Sequence, residues 1–336
     1  MTGSVLLAVH PVVRGLVFDQ TELSHAIQDQ GIIEPVGDLG AGGWQSFDST
    51  ALSTAEVAIT GWGSPAVDDH ALGLMPNLRA VLHVGGSVRE VTSPALWERG
   101  IAVSSAADVN NESVADFVAA TVLLGAKGSL RASARMRATG RVSGPFGGPG
   151  VNGLRVGLVS YGSVARRVAR RLTAQGAVVS AWDPFVSERA MAEDGVVFAS
   201  ELQDLFARSA VVSIHTPLIP GRTEGLIGNN ELASLSPDAI LINTSRGAVI
   251  DEAAMTDFLA GRPDVLAVLD VTVDEPPAAT STLYELPNVL LTGHSAGSVG
   301  ADNRRMGDWT LAELERLRSG IPLAGLITKE AADLRA

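Results

Sequence analysis

From residue 150 onward, short uninterrupted apolar runs alternate with segments of helical periodicity. "LRVGLVS", "AVVSAWD", "VVSIHTP", "AILINTS", "VLAVLDV" and "VLLTGHS" are rich in Val, Ile and Leu throughout rather than at every second position. Continuous apolar runs of this length are the pattern of strands covered on both faces of a parallel sheet. Between them, "SVARRVARRLTAQG" sets Val164, Val168 and Leu172 on one face and four arginines on the other, an amphipathic helix. "SELQDLFARS" opens with the capping-box pair Ser200 and Gln203, and "DEAAMTDFLAG" begins on Asp251, a good N-cap, and ends in glycine. The first hundred residues repeat the theme with "SVLLAVHP", "AEVAITGWG", "RAVLHVGG" and "IAVSSA". The pattern predicts an α/β protein of two doubly wound parallel-sheet domains. The Gly/Pro-rich "GRVSGPFGGPGVNG", residues 140–153, is expected to be a surface connection inside the second domain.

Composition narrows the function classes. The chain has 336 residues, enough for about two domains, and its 46% hydrophobic and 18% charged residues are a globular balance. With no cysteine, disulfides, thiolate metal sites and cysteine nucleophiles are excluded. A net charge of −12 repels nucleic acid and anionic membranes. The best basic patch, Arg131, Arg135, Arg137 and Arg141 in "LRASARMRATGR", reads as a solvated helix face or a subunit contact. The start "MTGSVLLAVHPVV" lacks the basic region of a secretory signal, and no apolar run approaches a bilayer span. The expectation is a soluble cytoplasmic protein with no nucleic-acid or membrane partner. The six histidines show no metal spacing, and no metal is expected.

The stretch "GLVSYGSVAR" joins an apolar run to the amphipathic helix. It has the shape of a dinucleotide-binding turn, whose three glycines serve a tight turn, close approach of a pyrophosphate and close helix packing. Gly162 keeps the second place and Ala165 is an accepted small residue in the third. Ser160 departs from the first, and an adjusted rather than a blocked turn is expected. The next apolar run ends in Asp183 before Pro184, 183 − 160 = 23 residues on, near the spacing of an acid that holds ribose hydroxyls and repels a 2′-phosphate. Asp183 is also a plain turn residue by sequence. Together the turn and the acid predict NAD as cofactor, held by Ser160, Tyr161, Gly162, Ser163, Val164, Asp183 and Pro184.

Four further stretches, "VSIHTPLIPGRTEGLIG", "LINTSRGAVID", "AVLDVTVDEPP" and "NVLLTGHSAG", together resemble the D-isomer-specific 2-hydroxyacid dehydrogenase family, from about residue 55 to about 326. The resemblance implies a flavodoxin-like substrate domain (1–105 plus 295–336) and a Rossmann NAD-binding domain (106–294). It also implies an active-site cleft between them, and hinges near Ser105 and Ser295. It implies that Arg246 grips a substrate carboxylate, which a guanidinium can hold bidentately without losing charge. His294 resembles the general acid–base, suited by an imidazole that titrates near neutrality, and Glu275 the carboxylate that pairs with it and fixes its tautomer. Asp270 resembles the residue near the nicotinamide carboxamide. His215, Thr216, Pro217 and Thr244 would line the cofactor pocket, with packing as the other role for His215. In the first domain "LHVGGSVRE" occupies the place of the carboxylate-binding loop, with Gly85 and Gly86 giving close approach. Arg89 stands there where an aspartate is usual, either as a structural compensation or to favour a second anionic group. Trp62 of "TGWGSP" forms the opposite wall of a substrate pocket or an ordinary turn.

The implied reaction is hydride transfer between NAD(H) and a 2-oxo/2-hydroxy acid, in a homodimer built through the NAD-binding domain by the helix beginning near Glu112. "GHSAG" also fits a hydrolase nucleophile elbow, but no histidine follows Ser295, and the triad order fails. Gly157 and Gly162 imitate part of a P-loop without the Lys-Ser/Thr pair. Formate dehydrogenase is disfavoured, because Glu275 stands where that relative carries glutamine. An NAD-binding corepressor-like protein of the same fold and a phosphite dehydrogenase-like enzyme remain as alternatives.

Overall fold

The computed structural model describes residues 4–141 and 147–334. Part of the connection expected over 140–153 lies outside the described residues. The chain divides into two compact units, Met1–Asn110 with Ser298–Ala336, and Asn111–Gly297. The first divide falls inside the helix Ala107–Ala126.

In the first unit, β1 (Ser4–Ala8), β2 (Ile32–Ile33), β3 (Ala55–Gly61), β4 (Ala80–Val84) and β5 (Ala102–Ser105) pair in parallel in the order β2-β1-β3-β4-β5. This is the flavodoxin-like order. Leu326–Ile327 adds an antiparallel edge beside β5. That edge is pinned by the buried Glu313, whose carboxylate accepts the Ser104 hydroxyl at 2.6 Å and the amides of Ala324 and Gly325.

The second unit holds β6 (Arg155–Val159), β7 (Val178–Trp182), β8 (Val197–Phe198), β9 (Val211–Ile214), β10 (Ile240–Asn243), β11 (Leu266–Leu269) and β12 (Val289–Leu291). All are parallel, in the order β8-β7-β6-β9-β10-β11-β12, the Rossmann order extended by a seventh strand. β9, β10 and β11 are buried at every position, which is why their sequences are apolar without alternation. Val168 and Leu172 bury the apolar face of the helix Ser163–Ala174 in a core shared with Val156 and Leu158 of β6 and Val179 and Ala181 of β7; a fully buried side chain of this kind contributes about 1.5–3 kcal/mol. The opposite face is tied down by ion pairs from Arg167 and Arg171 to Glu112.

Two local expectations change. The helix Leu202–Arg208 is capped at Glu201 with no side-chain cap, so the Ser200/Gln203 capping box does not form. In the basic stretch, Arg131 is not a free cation: it donates to the carbonyls of Asp238, Ala239 and Asp264. Asp251, by contrast, accepts the Ala254 amide at 3.0 Å and caps the helix Glu252–Gly261 as read. Among the described residues no single helix is long and apolar enough to cross a membrane. The helices Ala107–Ala126 and Ser129–Arg137 meet the length and composition test only as a pair bent by 67°, and the first buries Ala115, Val118 and Val122 in the core.

Candidate active site

The carboxyl ends of a parallel sheet lie along one edge, where open α/β sheets bind ligands. Three neighbouring strands of the second unit each deliver one of the chemical residues to that edge. Arg246 follows β10, Glu275 follows β11 and His294 follows β12.

His294 Nδ1 lies 2.6 Å from Glu275 Oε2. A carboxylate accepts only, so Nδ1 carries the proton and the other ring nitrogen, Nε2, is left for a reacting group. Both side chains are accessible, 51% for His294 and 37% for Glu275. They line a cavity of about 570 Å³ with Asp270, Thr272, Tyr284 and Thr292. His294 holds a left-handed backbone, φ 57°, which a non-glycine residue keeps only where its surroundings impose it. Asp270 is the imposing group. The residue is 3% exposed, and its carboxylate accepts the Thr292 hydroxyl at 2.6 Å and the amides of Ser295 at 2.8 Å and Ala296 at 3.1 Å. Its carbonyl accepts the His294 amide at 2.7 Å. The structure thus places Asp270 as the anchor of the loop that carries the histidine.

The Arg246 loop is organised in the same way by Asn243, a residue the sequence did not single out. Its Oδ1 accepts the amide and hydroxyl of Ser245, and its Nδ2 donates to the Arg246 carbonyl. Gly247 is buried so closely that a Cβ there would stand 2.0 Å from the Thr272 carbonyl carbon. The loops that carry Arg246 and Glu275 therefore touch through their backbones.

The dinucleotide turn lies at the end of β6. Ser160 keeps the left-handed backbone, φ 67°, that glycine adopts freely, so the turn is not adjusted as expected; the serine bears the strain instead. Its hydroxyl is 2.9 Å from that of Thr216. A Cβ on Gly162 would meet nothing within 4 Å, leaving the start of the helix Ser163–Ala174 open to approach. Ser163 is tied to Asn111 and Arg167, and Val164 packs partly against the core. The Tyr161 ring points inward at 1% exposure and its hydroxyl donates to Asp194 Oδ2, burial pushing the phenol up to about 12. Only the Tyr161 backbone serves the turn, donating to Asp183 Oδ2 at 2.8 Å, while Asp183 Oδ1 accepts the Phe185 amide at 2.8 Å. Each carboxylate oxygen retains a second lone pair.

Just beyond the paired ends of β9 and β10, His215 Nε2 and Thr244 Oγ1 are buried without a hydrogen-bond partner. Burial holds the His215 imidazole down to about 4. Pro217 follows in the same segment, and its carbonyl accepts the Thr223 hydroxyl. In the first unit, Gly85 and Gly86 follow β4, Trp62 follows β3, and Arg89 is exposed in the turn beyond them. A second cavity, of about 560 Å³, opens at the amino ends of β9 and β10, among Arg131, Arg135 and Ile240. None of the residues named for chemistry lines it.

A family signature described as D-isomer specific 2-hydroxyacid dehydrogenase, NAD binding domain, matches residues 119–296. The chain belongs to this family. Its NAD-binding domain is the Rossmann unit described above. D-3-phosphoglycerate dehydrogenase of Mycobacterium tuberculosis is 35% identical over 268 residues, 80% of this chain and 49% of the relative. The chain thus spans about half the length of the curated phosphoglycerate dehydrogenases it matches. (S)-sulfolactate dehydrogenase of Chromohalobacter salexigens is 33% identical over 295 residues, 85% of this chain and 95% of that one. Among solved structures, the TT0316 protein of Thermus thermophilus is similar at a TM-score of 0.75 and 26% identity, covering 97% of this chain and 100% of its own.

Proposed function

We propose that this 2-hydroxyacid dehydrogenase family member transfers hydride between NAD(H) and a 2-oxo/2-hydroxy acid, giving the D product, with His294 and Glu275 as the acid–base pair and Arg246 as the carboxylate anchor. The observation that carries the reading is the 2.6 Å contact between His294 Nδ1 and Glu275 Oε2 on an accessible edge. It sets Nε2 to give a proton to the substrate's carbonyl oxygen and to take it back in the reverse direction. Glu275 stabilises the imidazolium on either side of that exchange. Arg246 holds the substrate carboxylate through its forked donors.

The residues present suit NAD. The orphaned Thr244 Oγ1 and His215 Nε2 offer buried polar partners, the space over Gly162 admits a pyrophosphate at a helix start, and Asp183 has lone pairs for ribose hydroxyls while repelling a 2′-phosphate. When bound, NADH supplies the hydride to the carbonyl carbon and NAD⁺ accepts it in the reverse direction.

A fluorescence titration with NADH and NADPH, followed by a panel of 2-oxo acids, tests the proposal. The expected result is binding of NADH in preference to NADPH and turnover of at least one 2-oxo acid that is lost in His294→Ala. A folded protein that binds NADH and turns over none would refute the catalytic reading and favour the corepressor-like alternative.

A further inference from the structure

Glu275 sits on a stretch without regular structure between β11 and the turn Thr282–Tyr284, and its carboxylate is engaged with His294. What fixes that stretch lies two residues to either side. Before Glu275, the Val273 amide donates to Glu252 Oε2 at 2.7 Å. After it, the Pro277 carbonyl accepts the Tyr284 hydroxyl at 3.1 Å. The Thr272 hydroxyl also donates to the Asp274 carbonyl at 2.6 Å and folds the stretch on itself.

Both ties start from fixed points. Glu252 is the first residue of the helix Glu252–Gly261, beside the cap Asp251. A carboxylate there ordinarily serves the start of its own helix, yet this one reaches across to another loop. It lies on the same short segment as Arg246 and Gly247, and a Cβ on Gly247 would already collide with the Thr272 backbone. That segment therefore meets the Glu275 loop twice, by packing at Thr272 and by a charge-assisted bond at Val273. Tyr284 ends a turn that Ser281 caps and that Leu283, 2% exposed, plugs into the core. Its own side chain is not core, being 52% exposed, and it lines the cavity of Glu275 and His294. Glu275 is held between two struts, and the groups that form them belong to neither the acid–base pair nor the carboxylate anchor.

Resting on the reading of His294 and Glu275 as the acid–base pair, we propose that Glu252 and Tyr284 are positioning residues that act through Glu275. They keep its carboxylate against His294 Nδ1, and so set how much of the time the imidazole is ready to exchange a proton.

The experiment measures kcat, KM and NADH affinity in Glu252→Ala, Glu252→Gln and Tyr284→Phe, each made in the wild type and in Glu275→Ala. With Glu275 present, Glu252→Ala and Tyr284→Phe should lower kcat about five-fold, the worth of one hydrogen bond, with KM and NADH affinity within about two-fold. Glutamine keeps an oxygen for the Val273 amide, so Glu252→Gln should restore most of the loss. In Glu275→Ala the same substitutions should change kcat by less than about two-fold, because the group they place is gone. A general structural role would lower kcat by the same factor in both backgrounds, and that result, or no loss in either, would overturn the proposal. Tyr284→Phe removes a single exposed hydroxyl and decides the matter even if Glu252→Ala fails to fold. Proton NMR reads the same placement without substrate. The hydrogen-bonded Nδ1 proton of His294, identified by its absence from His294→Ala, should be sharp in the wild type and Glu252→Gln and broadened by solvent exchange in Glu252→Ala and Tyr284→Phe. If the wild type binds NADH and turns over no 2-oxo acid while the signal follows this pattern, the enzymatic reading falls and the positioning of Glu275 stands. A signal equally sharp in every variant would overturn the positioning itself.

Discussion

Gly247→Ala is the sharpest test of how the site is held together. The added Cβ would stand 2.0 Å from the Thr272 carbonyl carbon, 2.2 Å from its oxygen and 2.4 Å from the Val273 nitrogen. All three are backbone atoms, so no side chain can swing aside. Carbon–carbon contacts settle near 3.5 Å, so the two loops must part by about 1.5 Å. One carries Arg246 and the other leads to Glu275, the partner of His294. A misplacement of about 1 Å can cost roughly 10²-fold in rate, and overpacking of this kind costs about 1–3 kcal/mol of stability. The expected outcome is a folded protein of lowered melting temperature, with kcat/KM for the 2-oxo acid of the proposed reaction down by about 10²-fold and NADH binding retained, since the turn at Ser160 to Ala165 is untouched. Gly73→Ala, in a helix where a Cβ meets nothing within 4 Å, is the control and should behave as wild type. Wild-type kcat/KM and melting temperature in Gly247→Ala would refute the claim that this backbone contact sets the distance between the two loops.

The turn and the buried histidines give two more predictions. Ser160→Gly removes a left-handed strain of roughly 1–2 kcal/mol, offset in part by about 0.5–1 kcal/mol of chain entropy and by the loss of the Thr216 contact; NADH affinity should stay within about three-fold by fluorescence titration, whereas a weakening of about ten-fold or more, roughly 1.4 kcal/mol, would mean that the hydroxyl holds the cofactor. Burial holds His83 and His215 down to about 4 in the folded chain, against 6.5 for an exposed imidazole. Between those values the unfolded chain binds more protons, so stability must fall as pH drops from about 6.5 towards 4, by up to roughly 3 kcal/mol for each histidine. Urea unfolding at a series of pH values reads this directly, and a flat profile over that window would contradict the burial of both rings.

Much of the fold was legible because parallel strands covered on both faces must be apolar at every position, and such runs stand out even when short. β9, β10 and β11 are the plainest cases. Ile32–Ile33, Val197–Phe198 and Leu326–Ile327 were not legible, since two residues carry no period and their pairing is decided by neighbours distant in sequence. Asp251 was readable as a cap because its partner amide lies three residues on. The anchoring carboxylate of Asp270 was not, because its donors lie 22 to 26 residues away. His83 was missed for a related reason. Inside an apolar strand a lone histidine reads as core, and only the folded chain shows that its Nε2 is buried without a hydrogen-bond partner.

The site itself follows from order in a way that joins the two levels. Arg246, Glu275 and His294 lie tens of residues apart, yet each is delivered just after one of three consecutive strands, β10, β11 and β12. In a parallel sheet, consecutive strands that are also spatial neighbours must bring their carboxyl ends side by side, and these three are neighbours in that order. Motif order plus topology therefore predicts their proximity without any knowledge of contacts. What neither predicts is the distance between the loops. That is set by a glycine that lets one backbone rest on another, by an asparagine that folds the Arg246 loop, and by a buried aspartate that holds His294 in a conformation few residues adopt. Under the proposed function, substitutions at Gly247, Asn243 or Asp270 should therefore impair the proton and carboxylate chemistry without removing any group assigned to it.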